Sequence, residues 1–255
     1  MEVIFLGTGS STGTPVIGCN CPTCTSTDPR NKRTRCSLAI KTESGAILLV
    51  DTGPDLRLQA LREGIVRVDA VFYTHTHADH LNGIDDLRNF CFLQKQPIPV
   101  FGNDIAINDI RQRFSYAFSA PGLHWDKPVL TAHLAQDGFE MAGVKIIPIP
   151  VLHGKLPILG YRFNNIAYIT DVSEIPDSSM ALLEGLDLLL LDCLHYRPHP
   201  THIHLDKSLE YAQQIKAKET YFIHMTHQME YSEASSKLPP GVHFSYDGLT
   251  IKIDK

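Results

Sequence analysis

The six residues His75-Thr76-His77-Ala78-Asp79-His80 hold three imidazoles and a carboxylate. That much hydrogen-bonding capacity cannot sit unmet in an apolar core. Imidazole and carboxylate together are the ligand chemistry of Zn2+ and other borderline divalent cations. After an apolar run, the alternation His75-x-His77 sets two rings on one side, and a turn into Asp79-His80 could serve a second cation. So short a segment cannot complete two sites with open positions, and further ligands must come from elsewhere. His153, Asp171 and His224 each follow an apolar run, and the carboxylate of Asp171 is suited to bridging two cations. A second cluster, Cys19-Asn20-Cys21-Pro22-Thr23-Cys24, offers three thiolates where a structural zinc wants four ligands. His227, three residues beyond His224, is the candidate fourth. Nothing around the cysteines suggests a thioredoxin-like unit, and Gly7-Thr8-Gly9 with Gly13 has the wrong spacing for a dinucleotide loop.

Rigid elements must present these groups. Short apolar runs predict strands at 3–6, 37–41, 46–50, 70–73, 99–101, 144–150, 159–163, 167–170, 187–191, 220–224, 242–246 and 249–253. Helical patterns lie at 55–62, near 81–93, at 178–184 and at 207–216, where Leu209, Ala212 and Ile215 share a face. Asp51, His75, His153, Asp171, Asp192 and His224 all fall at or just past the ends of predicted strands, the way a scaffold presents a site. The stretch 108–136 breaks this rhythm and is rich in aromatic residues. It reads either as a lid over the site or as a surface loop packed on its own side chains.

The chain has 255 residues, 43% of them hydrophobic and 20% charged, with a formal net charge of −5. These values fit an ordered globular chain, read here as one domain over 1–255 with a zinc-binding loop at 18–25. The acidity argues against a broad nucleic-acid or anionic-membrane footprint. Val3–Leu6 is too short for a signal peptide and Leu188–Leu191 is strand-length, so a cytoplasmic protein without membrane association is expected. Six cysteines, three of them clustered, point to metal binding before disulfides.

The ordered set His75-x-His77-x-Asp79-His80, His153, Asp171 and His224, with Leu49–Gly53 before it, resembles the metallo-β-lactamase superfamily over essentially the whole chain. The resemblance implies an α/β (α+β) αββα sandwich of two mixed β-sheets flanked by helices, with a binuclear site of Zn2+ or Mn2+ at one edge. By position, His75, His77 and His153 would bind the first metal, and Asp79, His80 and His224 the second. Asp171 would bridge the two, and Asp51 would orient a ligand from behind. Flavo-diiron members carry Glu where His77 stands, and antibiotic-hydrolysing members commonly use a Cys ligand; both point away from those subfamilies. The opening Gly7–Cys24 and His224…His227-Gln228 resemble the PhnP-type phosphoribosyl cyclic phosphodiesterases. That likeness implies a structural Zn2+ on Cys19, Cys21, Cys24 and His227, and leaves room for a homodimer. It also implies a histidine before the last long helix acting as general acid or charge stabiliser, with His202 the best match and His204 the alternative.

The expected activity is hydrolysis of a small or cyclic phosphodiester by hydroxide held at the binuclear centre, with His202 and Asp79 as catalytic residues. One rival is a tRNA 3′-processing endoribonuclease, which the acidic charge and the lack of a long Gly/Pro-rich arm disfavour. A glyoxalase-type thioesterase and a non-catalytic metal-binding protein are the others. His195 and His199 read as surface or supporting residues, and His124, His133 and His243 carry no assigned role.

Overall fold

The computed structural model describes all residues except Pro121, Leu123, His124, Asp254 and Lys255. In chain order the strands are β1 Glu2–Gly7, β2 Ser37–Lys41, β3 Ile47–Val50, β4 Ala70–Phe72, β5 Ile98–Gly102, β6 Leu130–Leu134, β7 Phe139–Met141, β8 Val144–His153, β9 Leu156–Phe163, β10 Ile166–Ile169, β11 Leu188–Asp192, β12 Glu219–Ile223, β13 Val242–Phe244 and β14 Thr250–Lys252. They form two seven-stranded mixed sheets, ordered β14-β1-β2-β3-β4-β5-β6 and β13-β12-β11-β10-β9-β8-β7. The helices are α1 Pro22–Thr25, α2 Leu56–Glu63, α3 Ala78–Leu81, α4 Leu87–Gln94, α5 Asp104–Arg113, α6 Asp177–Met180, α7 Leu205–Ile215 and α8 Tyr231–Ser235.

Two-sided burial explains the unbroken apolar runs. In β11, Leu188 and Leu190 enter the core between the sheets, whereas Leu189 and Leu191 enter a core beneath the helices on the outer face. All four are fully buried, each contributing on the order of 2 kcal/mol. Val50 and Phe72 of the first sheet meet Tyr161, Phe163 and Tyr168 of the second in the same central core. Leu56, Leu87, Phe90, Ile107 and Ile110, from α2, α4 and α5, cover the first sheet. Tyr211, Ile215 and Ala234, from α7 and α8, cover the second. The result is the αββα sandwich that the motif resemblance implies.

The predicted strands are present, with shifted ends, and two more appear. Strands β6 and β7 were hidden because most of their residues are only partly covered. The stretch 108–136 contains the second half of α5, a 3-10 turn at Ser115–Phe118 and the edge strand β6. Its Pro121 and His124 lie outside the described residues. The helical pattern near 81–93 breaks into α3, a 3-10 turn at Ile84–Asp86 and α4. Gly83 sits at the break, where a Cβ would overlap the Gly53 carbonyl. Among the described residues no helix is long and apolar enough to cross a membrane.

Strands β3, β4 and β5 run parallel, as do β10, β11, β12 and β13. The carboxyl ends of parallel strands leave backbone groups and the following residues open to a ligand. Asp51 follows β3, Thr74-His75 lies just past β4, Asp171 follows β10, Asp192 ends β11 and His224 follows β12.

Candidate metal centre

Three of those strand-end residues leave the sheet in the left-handed region: Asp51 at φ 60°, Asp171 at φ 55° and His224 at φ 59°. A non-glycine residue there costs on the order of 1 kcal/mol, and such strain gathers at functional sites. At these ends it turns each side chain off its strand.

Hydrogen bonds then decide which ring nitrogen faces inward. Asp51 is buried; its Oδ1 accepts from the Thr74 amide at 2.8 Å, and its Oδ2 accepts from Thr74 Oγ1 at 2.8 Å and from His80 Nδ1 at 2.7 Å. Because the Thr74 hydroxyl donates to Asp51, it accepts from His75 Nδ1, 3.0 Å away. His153 Nδ1 donates to the Thr201 carbonyl at 2.7 Å, and His202 Nδ1 donates to Asp192 Oδ2 at 3.0 Å. All four rings therefore turn Nε2 toward the centre, the outer support that metal-binding histidines generally receive.

There the donors meet without conventional partners. His75 Nε2, His80 Nε2, both ring nitrogens of His224 and Asp79 Oδ2 are buried with no hydrogen bond among the described residues. His80 Nε2 lies 3.1 Å from Asp171 Oδ1 and 3.2 Å from Asp79 Oδ2, and His224 Nε2 lies 3.4 Å from Asp171 Oδ2. Either a protonated ring or a cation between lone pairs can hold such contacts. Burial alone would pull the His80 pKa down, but Asp171 and Asp51 push it well above the usual imidazole range. His75 cannot follow: burial first, then His80, hold its pKa well below that range. Burial works to raise the pKa of Asp171, but His224 and His80 overcome it and keep the carboxyl ionised. A neutral His75 beside the ionised carboxylate of Asp171 is what divalent cations satisfy. The ligand atoms of His75, His77, His153 and Asp171 lie within 4.8 Å of one another, as do those of Asp79, His80, Asp171 and His224. The two sets share Asp171. His77 is exposed, its ring 4.5 Å from His75 and 5.1 Å from His153.

His202 is one of these central imidazoles, its ring 4.7 Å from His153 and 4.9 Å from His224, with Nε2 3.9 Å from Asp171 Oδ2. His204 is only the residue before α7, where its carbonyl accepts from Ser208. Of these two histidines, the structure places His202 and not His204 among the clustered imidazoles. Burial lowers the His202 pKa, but the charge and hydrogen bond of Asp192 outweigh it and raise the value to about 8.

Asp192 is the residue that the motif reading left without a role. Its Oδ2 takes His202 Nδ1 and the Val172 amide, and its Oδ1 lies 3.6 Å from His224 Nδ1. The signal was present, since Asp192 occupies the same strand-end position as Asp51 and Asp171.

The cysteine loop forms a second cradle. His227 Nδ1 lies 3.3 Å from Cys19 Sγ, 3.3 Å from Cys21 Sγ and 3.5 Å from Cys24 Sγ. Tetrahedral zinc bonded to sulfur and nitrogen would separate them by about 3.5 Å. The Cys24 amide, donating to Cys21 Sγ, leads in lowering the Cys21 pKa to about 6. His224 and His227 share one turn, which the buried Arg33 pins by donating to the Thr226 carbonyl at 3.1 Å and the Met229 carbonyl at 2.7 Å.

The beta-lactamase superfamily domain matches residues 47–225. A diphosphatase of the PhnP family is similar at 42% identity, with a TM-score of 0.91 over 98% of this chain and 96% of that one. An octanoyltransferase of Porphyromonas gingivalis is 37% identical over 100% of this chain and 52% of its own length, so the chain spans about half of that relative. The short form of human tRNase Z, at 18% identity and a TM-score of 0.73 over 100% of both chains, shares the fold.

Proposed function

The chain belongs to the beta-lactamase superfamily and is a metal-dependent hydrolase, and from that premise we propose that it cleaves a small or cyclic phosphodiester. The observation that carries the reading is a pair of donor sets sharing Asp171, with a buried imidazole beside them fixed by its own carboxylate. His75, His77, His153 and Asp171 would hold one cation, and Asp79, His80, His224 and the same Asp171 another, either Zn2+ or Mn2+. Bound there, the cations would supply positive charge for the phosphate oxygens and a water acidic enough to attack at neutral pH. The likeness to a PhnP-family diphosphatase supports chemistry at phosphorus.

The protein's own groups then account for the protons. With Nδ1–H held on Asp192, His202 presents Nε2 to the cleft and can pass its proton to the departing ester oxygen. The oxygen of water bonds to phosphorus as that P–O bond breaks. His202 is reprotonated from solvent, which also takes the proton released by the attacking water. Asp51, bound to His80 and Thr74, keeps a ligand ring from rotating. Cys19, Cys21, Cys24 and His227 would hold a separate structural zinc. The six unpaired cysteines support a reducing, cytoplasmic setting.

A tRNA-processing role has less support, because a net charge of −5 opposes docking of a long polyanion. The name of the octanoyltransferase relative finds no echo at the centre, where Cys36 and Cys193 are buried and could not carry an acyl group.

The test is turnover of bis(p-nitrophenyl) phosphate and 2′,3′-cyclic nucleotides by protein loaded with Zn2+ or Mn2+. Metal-dependent cleavage should vanish in Asp171→Ala. In His202→Ala it should fall by about 10²–10⁴-fold on the cyclic nucleotides, whose alkoxide leaving groups need a proton. The fall should be smaller on the nitrophenyl ester, whose leaving group needs none. Metal-loaded protein that cleaves none of these diesters would overturn the reading.

A further inference from the structure

One buried guanidinium ties together the segments that carry the two metal cradles. Arg33 is among the largest fully buried side chains, and its partners are amide oxygens rather than a carboxylate. Nη1 donates to the Thr226 carbonyl, and Nη2 donates to the Met229 carbonyl and, at 3.2 Å, to Asn31 Oδ1. Burial pulls the Arg33 pKa down to about 10, which leaves it charged at neutral pH. A buried charge without a carboxylate partner is costly, and charged N–H donors hold carbonyls more firmly than neutral ones.

The two carbonyls bracket His227, and His224 opens the same turn at φ 59°. Three residues of chain, about 10 Å at full stretch, separate the two histidines. Arg33 itself is set in the segment that follows the cysteines. Its backbone exchanges two hydrogen bonds with Thr14 at 2.8 Å, and Asn31 Nδ2 donates to Ser26 Oγ at 3.1 Å and to Glu230 Oε1 at 2.6 Å. Lys32 Nζ donates to the Cys24 carbonyl at 3.3 Å. Bonds thus run without a gap from the cysteine loop through Arg33 to the turn. The far end of that run has a ligand in need of placing. Among the buried imidazoles of the centre, His75, His80, His153 and His202 each have a hydrogen bond at Nδ1, whereas His224 has none among the described residues. Its amide donates to Cys36 Sγ at 3.2 Å, so the backbone turn, rather than a partner on the ring, places it.

We propose that Arg33 is a positioning residue that couples the two cradles. It makes the stretch 224–229 one rigid turn, so that a metal held by the three cysteines and His227 sets where His224 stands beside Asp79, His80 and Asp171. This rests on the two-cation reading of the centre and adds to it a dependence on the cysteine loop. A lysine at position 33 would keep the charge, but its single nitrogen cannot reproduce two donors in a fixed fork.

The experiment titrates Mn2+ into the whole protein and follows the free ion by electron paramagnetic resonance. Thiolates select softer cations, so the cysteine cradle keeps its zinc and only the centre is read. The wild type should show two affinities. In Arg33→Lys one of them should weaken about tenfold, as when a group behind a ligand is lost, while the other, at His75, His77 and His153, holds. Emptying the cradle with Cys19→Ser and Cys21→Ser together, checked by elemental analysis, should weaken the same affinity. Arg33→Lys added to that pair should cost little more. Ile40→Val, in the core between the sheets, is the control for lost stability and should move neither affinity. Two affinities that fall together in Arg33→Lys, in step with stability, overturn the coupling. So does an emptied cradle that leaves both unchanged, and so does a fully additive combination. If Arg33→Lys does not fold, the emptied cradle and Asn31→Ala decide: the same single affinity weakening in both sustains the coupling, and anything less ends it. A wild type that binds fewer than two Mn2+ defeats the two-cation reading, and the coupling falls with it.

Discussion

At the residue scale, function depends on which nitrogen of each imidazole is free, and the carboxylates, the hydroxyl and the carbonyl behind the rings decide that. Asp192 is the sharpest case, because one oxygen holds His202 Nδ1 at 3.0 Å while the other lies 3.6 Å from His224 Nδ1. Asp192→Asn would keep the shape but turn an amide N–H toward one of those partners. We expect kcat on cyclic nucleotides to fall by about 10²-fold with little change in KM. Combining it with His202→Ala should cost little more than His202→Ala alone, because the two act as one unit. Full additivity in that double-mutant cycle would separate the two residues. At the second cradle, His227→Ala removes one of four converging ligand atoms. Elemental analysis should then find one metal equivalent fewer, and the thermal unfolding midpoint should drop, since structural metal binding is itself folding energy.

At the element scale, the ligand-bearing turn is held by close backbone contact. Thr52 N donates to the His80 carbonyl at 2.8 Å and Gly83 N to the Thr52 carbonyl at 2.8 Å, so the exit of β3 and helix α3 fit without room for side chains. A Cβ on Gly83 would overlap the Gly53 carbonyl, and one on Gly53 would overlap the Asp79 carbonyl. Gly83→Ala should therefore lower stability by about 1–3 kcal/mol, read from urea unfolding. It should also weaken metal binding, read by competition with a chromophoric chelator. Gly45→Ala is the contrast: it sits at φ 84° with nothing within 4 Å, so its cost is backbone strain, and metal affinity should not move. Arg113 braces the same turn from α5, donating to the Thr76 carbonyl at 2.9 Å and to Asn82 Oδ1 at 2.6 Å. The stretch 108–136 is thus tied to the ligand-bearing turn by an ordinary helix, which aromatic composition did not announce. Its start was marked all the same, by the Asn103 side chain capping the Ala106 amide.

At the scale of the whole molecule, two seven-stranded sheets meet over one core and present their parallel strand ends at a common edge. Buried and mutually close, the unpaired donors there make the metal-free protein pay an electrostatic cost, so chelation should lower the unfolding midpoint and Zn2+ or Mn2+ should restore it. An unfolding curve unchanged by chelation and reloading would remove the metals from the stability of the fold. The net charge of −5 makes a further expectation: precursor tRNA should bind weakly and escape cleavage under conditions where cyclic nucleotides are turned over.

The amino-acid sequence determined what a local pattern can encode. His75–His80 and Cys19–Cys24 declare their chemistry within six residues, and strand periodicity put Asp51, Asp171 and His224 at strand ends. Only the tertiary structure placed His202, and not His204, among the clustered imidazoles and gave Asp192 its two imidazoles. The physical reason is that the chain's own periodicity fixes the face a side chain takes. How far Asp192 lies from His224, or His153 from Thr201, depends instead on sheet register, on the packing of strands and loops distant in sequence, and on left-handed turns at the strand ends.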